Sequence, residues 1–331
     1  MSQTQAVRLP TVPAATGAVV LALVVLAASL AVGSTGFDWA SLTDPAAPEH
    51  AVYQARLERT LLGAAVGAAL GVGGACLQGL TRNPLADPGI LGLNAGASFA
   101  MVLAISAFGV SSLHEYIWFA FVGAAAAAVL VHAVASLGRD GASPLKLAVA
   151  GAAVTAAVTS WTSAVLLTDR GTMDSFRLWQ VGTVGGRGLD VLVVGLPFLA
   201  LGLALALAGA RLLDTLALGD DLARGLGRTL WLDRLVLGLG IVLLVGTATA
   251  LAGPIAFVGL VVPHGVRAVV GPGYRRVLPL SAVTGALLTV LADTVGRVVL
   301  PPTEVQVGIM TAAIGVPLFF VLLRRGRTAG L

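Results

Sequence analysis

The sequence predicts an all-α membrane protein that crosses the bilayer many times, and three observations carry that. Only 11% of the 331 residues are charged, 57% are hydrophobic and the mean hydropathy is +0.94, whereas a soluble domain holds about 25% charged residues. Apolar runs close to the roughly 20 residues needed to span hydrocarbon recur along the whole chain. The arginines gather at the ends of those runs, so the net charge of +4 reflects membrane topology and gives no reason to expect a nucleic-acid partner.

Ten spans are expected, at about 15–35, 59–80, 91–109, 116–137, 145–168, 189–210, 234–251, 254–270, 277–299 and 306–323. An alternative for the first is a signal peptide, since Arg8 precedes its apolar core, but no small-residue cleavage site follows and another span comes next. The second span carries Gly63, Gly67, Gly71, Ala75 and Gly79 four apart, a smooth stripe against which a neighbouring backbone can pack closely. The eighth is short, opens on Gly253-Pro254 and contains Pro263. In the ninth, Asp293 and Arg297 share a helix face at i, i+4 and read as a structural ion pair. The fold class is thus an all-α polytopic membrane protein, one transmembrane domain over 1–331 with pseudo-repeats of about 1–170 and 171–331. An odd number of spans per half places two five-helix halves in inverted orientation. Gly79-Leu80 with Pro84 echoes Gly259-Leu260 with Pro263, a faint trace of that repeat.

Orientation follows from the basic residues. One side collects Arg8, Arg82, Arg139, Lys146, Arg211, Arg224, Arg228, Arg234, Arg267, Arg275, Arg276, Arg324, Arg325 and Arg327; the other collects Arg56, Arg59, Arg170, Arg177, Arg187 and Arg297. The richer side is cytoplasmic, which puts both termini on the cytoplasmic side of the plasma membrane. Trp39, Trp118, Trp161 and Trp179 fall near the outer face, where amphipathic rings settle.

Several chemistries lack their residues. Lys146 is the sole lysine and no Gly-x-x-x-x-Gly-Lys-Ser/Thr loop exists, so a phosphate-cradling loop is absent and any ATP must be hydrolysed by another subunit. His50, His114, His132 and His264 have no metal-site spacing, and no cofactor is expected. No Ser/His/Asp set supports an intramembrane hydrolase. A stand-alone secondary transporter needs ionisable groups near the midplane, and Asp293 is the best candidate for one. Cys76 lies in an apolar run and reads as a packing residue.

Three features carry mechanical meaning. Gly151, Thr155, Thr159 and Ser163 lie four apart on the fifth span; their hydroxyls either bond back to helix carbonyls or line a wettable pathway. Arg56, Arg59 and Arg297 run against the charge bias on the outer side, and guanidinium groups grip carboxylates bidentately; they read as headgroup or local ion-pair residues, or as a docking patch for an acidic partner. In the inner segment 211–233, apolar residues at 218, 222, 223 and 226 make a short amphipathic helix ended by Gly225 or Gly227.

The turn Arg82-Asn83-Pro84-Leu85-Ala86-Asp87-Pro88-Gly89-Ile90-Leu91-Gly92-Leu93-Asn94-Ala95-Gly96-Ala97-Ser98 breaks helix at both prolines. It resembles the signature of the FecCD-type permeases of ABC importers for iron-siderophore, haem and vitamin B12. The stretch Gly253-Pro254-Ile255-Ala256-Phe257-Val258-Gly259-Leu260-Val261-Val262-Pro263-His264-Gly265-Val266-Arg267 resembles the second signature of that family. Leu278-Pro279, Asp293, Arg297, Glu304, Gly308 and Gly315-Val316-Pro317-Leu318-Phe319 follow in family order, and the wording of the first motif is most similar to the ferric-siderophore branch.

The resemblance implies a ten-helix permease like that of the vitamin B12 importer, paired with a second permease (a paralogue or an identical copy), driven by two cytoplasmic ATPase subunits and served by an extracytoplasmic substrate-binding protein. It implies binding-protein docking at Arg56, Arg59 and Arg297. It places a cytoplasmic gate at Asn83 and Leu85 with fifth-span hydroxyls among Thr155, Thr159 and Ser163. It assigns ATPase coupling to Leu218, Gly219, Asp221, Leu222, Ala223, Leu226 and Gly227.

Overall fold

The computed structural model describes residues 11–33, 44, 46–47, 49–110, 112–137, 144–227 and 229–328. Arg8, Trp39, Arg139 and Arg228 lie outside them. Among the described residues fourteen α-helices follow in order: α1 Thr11–Ala31, α2 His50–Thr81, α3 Leu93–Phe108, α4 Leu113–Ala135, α5 Pro144–Thr168, α6 Arg170–Gln180, α7 Leu189–Ala208, α8 Ala210–Leu216, α9 Asp220–Gly225, α10 Leu230–Ile241, α11 Thr247–Ala252, α12 Val258–Val270, α13 Tyr274–Val299 and α14 Val307–Thr328. A 3₁₀ turn, Pro88–Leu91, precedes α3, and a π-helical stretch, Val242–Gly246, joins α10 to α11.

Among the described residues, six helices are long and apolar enough to cross a membrane: His50–Thr81, His114–Ala135, Leu145–Thr168, Leu189–Ala208, Leu230–Ala252 and Tyr274–Val299. Four shorter apolar helices, Val20–Ala31, Leu93–Phe108, Val258–Val270 and Val307–Leu322, coincide with the other expected runs. In the eighth run, helix begins only at Val258. The stretch from Gly253, at φ 76°, to Phe257, at φ 69°, cannot be helical.

Helix α2 begins nine residues before the apolar run that predicted it. Hydropathy marks where lipid-compatible residues start, and the backbone stays helical beyond that point. Gln54 and Glu58 pair at i, i+4 on the early turns. The segment 169–188 holds the strongly amphipathic α6, whose N-terminus is capped by the Asp169 carboxylate accepting from Gly171 and Thr172 N–H. Hydrogen bonds from Thr172 hold that carboxyl below its ordinary pKa. α6 buries Phe176 and Trp179 against the helical body. Trp179 is therefore a core residue and not the interfacial ring expected of it, while Trp118 and Trp161 are exposed.

The central packing pair is α2 and α13. Added to Gly67, a Cβ would sit 2.3 Å from the Gly285 carbonyl oxygen, and at Gly71 the same distance from that of Ser281. The small-residue stripe on α2 thus seats the backbone of α13 directly, a contact any larger side chain would block. α3, α4 and α5 pack on one another, as do α12, α13 and α14. The echo between Gly79 and Gly259 is one of residue type alone: Gly79 lies in the last turn of α2, whereas Gly259 lies in the first turn of α12.

Candidate functional site

At the end where α1 finishes and α2 begins, four charged residues interlock. Arg59 Nε and Nη2 donate to Asp293 Oδ1, both at 2.8 Å, and Nη1 donates to Glu304 Oε2 at 2.6 Å. Arg297 donates twice to Asp293 Oδ2, at 3.0 and 2.5 Å, the i, i+4 pair that the sequence predicts. Two guanidiniums against two carboxylates leave the cluster neutral, as burial demands.

The terminal carbonyls of α1 explain why two arginines turn inward. Arg297 Nη1 donates to Ser29 O at 2.7 Å, and Arg56 Nη1 donates to Leu30 O at 3.0 Å. The last carbonyls of a helix have no partner within it, and cations there complement the dipole. Arg56 and Arg297 are consequently only 6% and 4% exposed. The expected arginine patch is therefore not an open one: Arg59 and Glu304 form its rim, and Arg56 and Arg297 lie beneath. Arg187, at the same end, donates to the Leu251 carbonyl in the last turn of α11. Burial pushes its guanidinium down to about 10, so it stays charged at neutral pH.

At the opposite end, Arg82 caps α2 in the left-handed region at φ 49°. Asn83 Oδ1 accepts from Leu85 N–H at 2.9 Å, closing the turn that the prolines predict and leaving Leu85 exposed. Asp87 then caps the 3₁₀ turn by accepting from Gly89 N–H at 2.8 Å. Burial raises the Asp87 pKa, opposed by that hydrogen bond. A pocket of about 260 Å³ separates this turn from the start of α5, with Asn83, Ala86, Leu91 and Leu145 on its walls. Thr155 lies against Gly92, and its buried hydroxyl has no hydrogen-bond partner among the described residues. Thr159 and Ser163, one and two turns further along α5, are exposed. The structure thus sets Thr155 against Gly92 at the end of the 3₁₀ turn, leaves Asn83 at the pocket beside the start of α5, and carries Thr159 and Ser163 further along the helix.

The segment 216–228 divides more sharply than expected. α9 covers only Asp220–Gly225, because Gly219 at φ 109° interrupts the chain before it; Gly227 at φ 77° follows. Both conformations are ones that L side chains rarely adopt. Leu218, Leu222 and Leu226 are 60%, 61% and 65% exposed and form an apolar ridge. Ala223 does not share that ridge: it is fully buried and anchors α9 to the body. Asp221 points outward and pairs with Arg224 at 2.9 Å.

Reasoning from sequence passed over the residues that tie α9 to the Asn83–Leu85 turn. Asp220 accepts from Arg234 Nη2 at 3.0 and 2.8 Å and from Arg82, whose Nε also donates to Leu216 O at 2.8 Å. Partial burial pulls the Asp220 carboxyl up, and the hydrogen bonds and charges of Arg234 and Arg82 more than reverse it, leaving it below the ordinary carboxylate range. A second chain of contacts runs from Asp214, which accepts from Tyr274 N–H at 2.9 Å, to Arg267, which donates to Tyr274 and to Gln78 Oε1. Gln78 Nε2 then donates to the Gly259 and Leu260 carbonyls, each at 3.2 Å. The signal for the clasp was present in the sequence: adjacent Asp220 and Asp221 after a glycine read as the first turn of a helix.

Comparison with known proteins places this architecture. The model of the FecCD transport family matches residues 20–325. The chain belongs to the FecCD transport family. It is 42% identical over 310 residues to the probable siderophore transport system permease protein YfiZ of Bacillus subtilis, covering 92% of this chain and 93% of that one. It is 44% identical over 280 residues to the ferric enterobactin transport system permease protein FepD of Escherichia coli, covering 84% and 83%. A solved structure described as an inward-facing conformation of a metal-chelate type ABC transporter superposes with a TM-score of 0.82 at 29% identity, over 93% of this chain and 97% of that one. As a FecCD member the chain is a multi-pass transport permease and not a catalyst.

Proposed function

We propose that this chain is the membrane-spanning subunit of a binding-protein-dependent ABC importer that moves an iron-siderophore-type chelate inward by alternating access. One observation carries the mechanism: a continuous polar path joins the exposed leucine ridge of α9, through Asp220 and Arg82, to the Asn83–Leu85 turn. The ridge is the surface on which a cytoplasmic ATPase subunit docks, with Leu218, Leu222 and Leu226 as contacts, Gly219 and Gly227 as hinges, Asp221 at the rim and Ala223 as the anchor. The Asn83–Leu85 turn, with Thr155, Thr159 and Ser163, forms the cytoplasmic gate and the wall beyond it. Small hydroxyls wet such a wall without holding a charged chelate.

On the outer side, a substrate-binding protein docks over Arg59, which Arg56 and Arg297 support from beneath. A second permease copy or paralogue completes the pathway, two ATPase subunits supply the energy, and ATP hydrolysis resides in those subunits. The ten apolar helices are ten spans, five in each inverted half, with both termini cytoplasmic. The matching triads α3–α4–α5 and α12–α13–α14 support that reading. The stand-alone carrier is less well supported, because Asp293, the acid it needs, is already held by Arg59 and Arg297.

The test is ATP hydrolysis by this permease reconstituted in lipid with its partner permease and ATPase, with and without loaded binding protein. Stimulation by the loaded binding protein is expected. Complete assembly with no stimulation would overturn the importer reading.

A further inference from the structure

We propose that the pocket at the foot of α7 binds the headgroup of an anionic phospholipid. The pocket encloses about 400 Å³ between the end of α7, the start of α8 and the first turn of α13, and its walls are Leu207, Ala208, Ala210, Arg211 and Arg275. Neither arginine is paired with a carboxylate among the described residues. This sets them apart from Arg82, Arg224 and Arg234 at the same end of the molecule, each of which has an acidic partner.

Two guanidiniums facing one concavity offer several donors to the oxygens of a phosphate, which they match in shape as well as charge. The position suits a lipid. α7 is an apolar helix of membrane-crossing length that ends at Ala208, so the pocket lies where the hydrocarbon layer gives way to headgroups. Val193, Leu196 and Leu207 share one exposed face of α7 and lead down to it. A phosphate in the pocket and an acyl chain along that face account for both halves of the site. Basic recesses between spans on the positive side of a membrane protein are the places where anionic headgroups settle.

The experiment is native mass spectrometry of the full chain, released from neutral detergent with whatever subunits accompany it, after titration with phosphatidylglycerol, phosphatidylcholine or inorganic phosphate. Phosphatidylglycerol is expected to be retained in preference to phosphatidylcholine. In the R211Q/R275Q variant its retention should fall by about tenfold or more, from roughly 1 kcal/mol for each basic residue near the surface. R276Q, which removes a neighbouring arginine outside the pocket, should retain the lipid as the parent does. Equal retention of the two lipids overturns the proposal, and so does an equal loss in R276Q, which would mean diffuse surface charge. Displacement of the lipid by millimolar inorganic phosphate would make this a free-anion site and overturn the lipid assignment.

Discussion

Arg59 on α2 and Asp293 on α13 meet at 2.8 Å although 234 positions separate them in the chain. The pair fastens one end of the two helices that pack most extensively in the fold. Asp293 also faces Arg297, so two guanidiniums share this one buried carboxylate, and Glu304 on Arg59 completes the charge balance.

Replacing Asp293 with Asn should therefore be costly. It leaves both arginines without their shared counter-charge, and breaking a buried pair from one side costs about 3–5 kcal/mol. Thermal unfolding of the purified protein should show a clear fall in Tm. A variant as stable as the parent would mean that Glu304 and the α1 carbonyls already suffice.

Glu304 occupies the part of Arg59 nearest the surface. If an acidic partner docks on Arg59, Glu304 competes with it. E304Q should then tighten binding-protein affinity severalfold, while R59Q weakens it, with both read by titration of the loaded binding protein onto the reconstituted permease. Weaker binding in E304Q would place the docking carboxylates elsewhere.

Arg82 and Asp220 should behave as a coupled unit. R82Q and D220N are each expected to lower the amount of substrate moved per ATP hydrolysed, and the double variant should be no worse than the more severe single one. R234Q, which removes a contact to Asp220 from a residue remote from the Asn83–Leu85 turn, should lower the ratio less than R82Q. Fully additive effects would dissolve the unit.

The same clasp predicts a pH response. The folded-state pKa of Asp220 lies below its unfolded value, so the stability it contributes is complete above the ordinary carboxylate range and is lost as pH falls through the depressed value. Amide exchange at Ala223 and Leu226, whose N–H groups bond to Gly219 O and Leu222 O, should accelerate in acid beyond the intrinsic pH dependence. Exchange that tracks the intrinsic rate alone would remove Asp220 from the clasp.

Gly67 is a site where almost any side chain fails. A Cβ there would sit 2.3 Å from the Gly285 carbonyl oxygen, so G67L must push α13 away along its length. The expected outcome is loss of monodisperse protein on size exclusion, whereas G238L, with nothing within 4 Å of its Cβ position, should purify normally.

How much of this was legible in the sequence depended on the length scale of the signal. The apolar helices were legible because hydropathy sums over about 20 residues and averages out local detail, although only six of the ten expected runs have membrane-crossing length among the described residues. The Gly63–Gly79 stripe declared a close helix contact but not its partner, since α13 lies some 200 positions away. The Asp293–Arg297 pair was legible because four residues is one turn. The inward turn of Arg56 was hidden, because the acceptor it satisfies is a backbone carbonyl, which has no residue type to read. Arg82 looked like one more cation on the basic side, and only folding reveals that it spans from the end of α2 to Asp220.

Because α2 is one unbroken helix, it carries Arg59 near one end and Arg82 at the other, about 35 Å away at 1.5 Å per residue. Their angular relation is fixed by the number of residues between them. One residue inserted midway would leave Arg59 facing Asp293 but swing Arg82 by about 100° away from Asp220, because 3.6 residues complete a turn. The interval between these two arginines is thus a phase as well as a distance, and the two faces of the membrane can stay in step only while its count is kept.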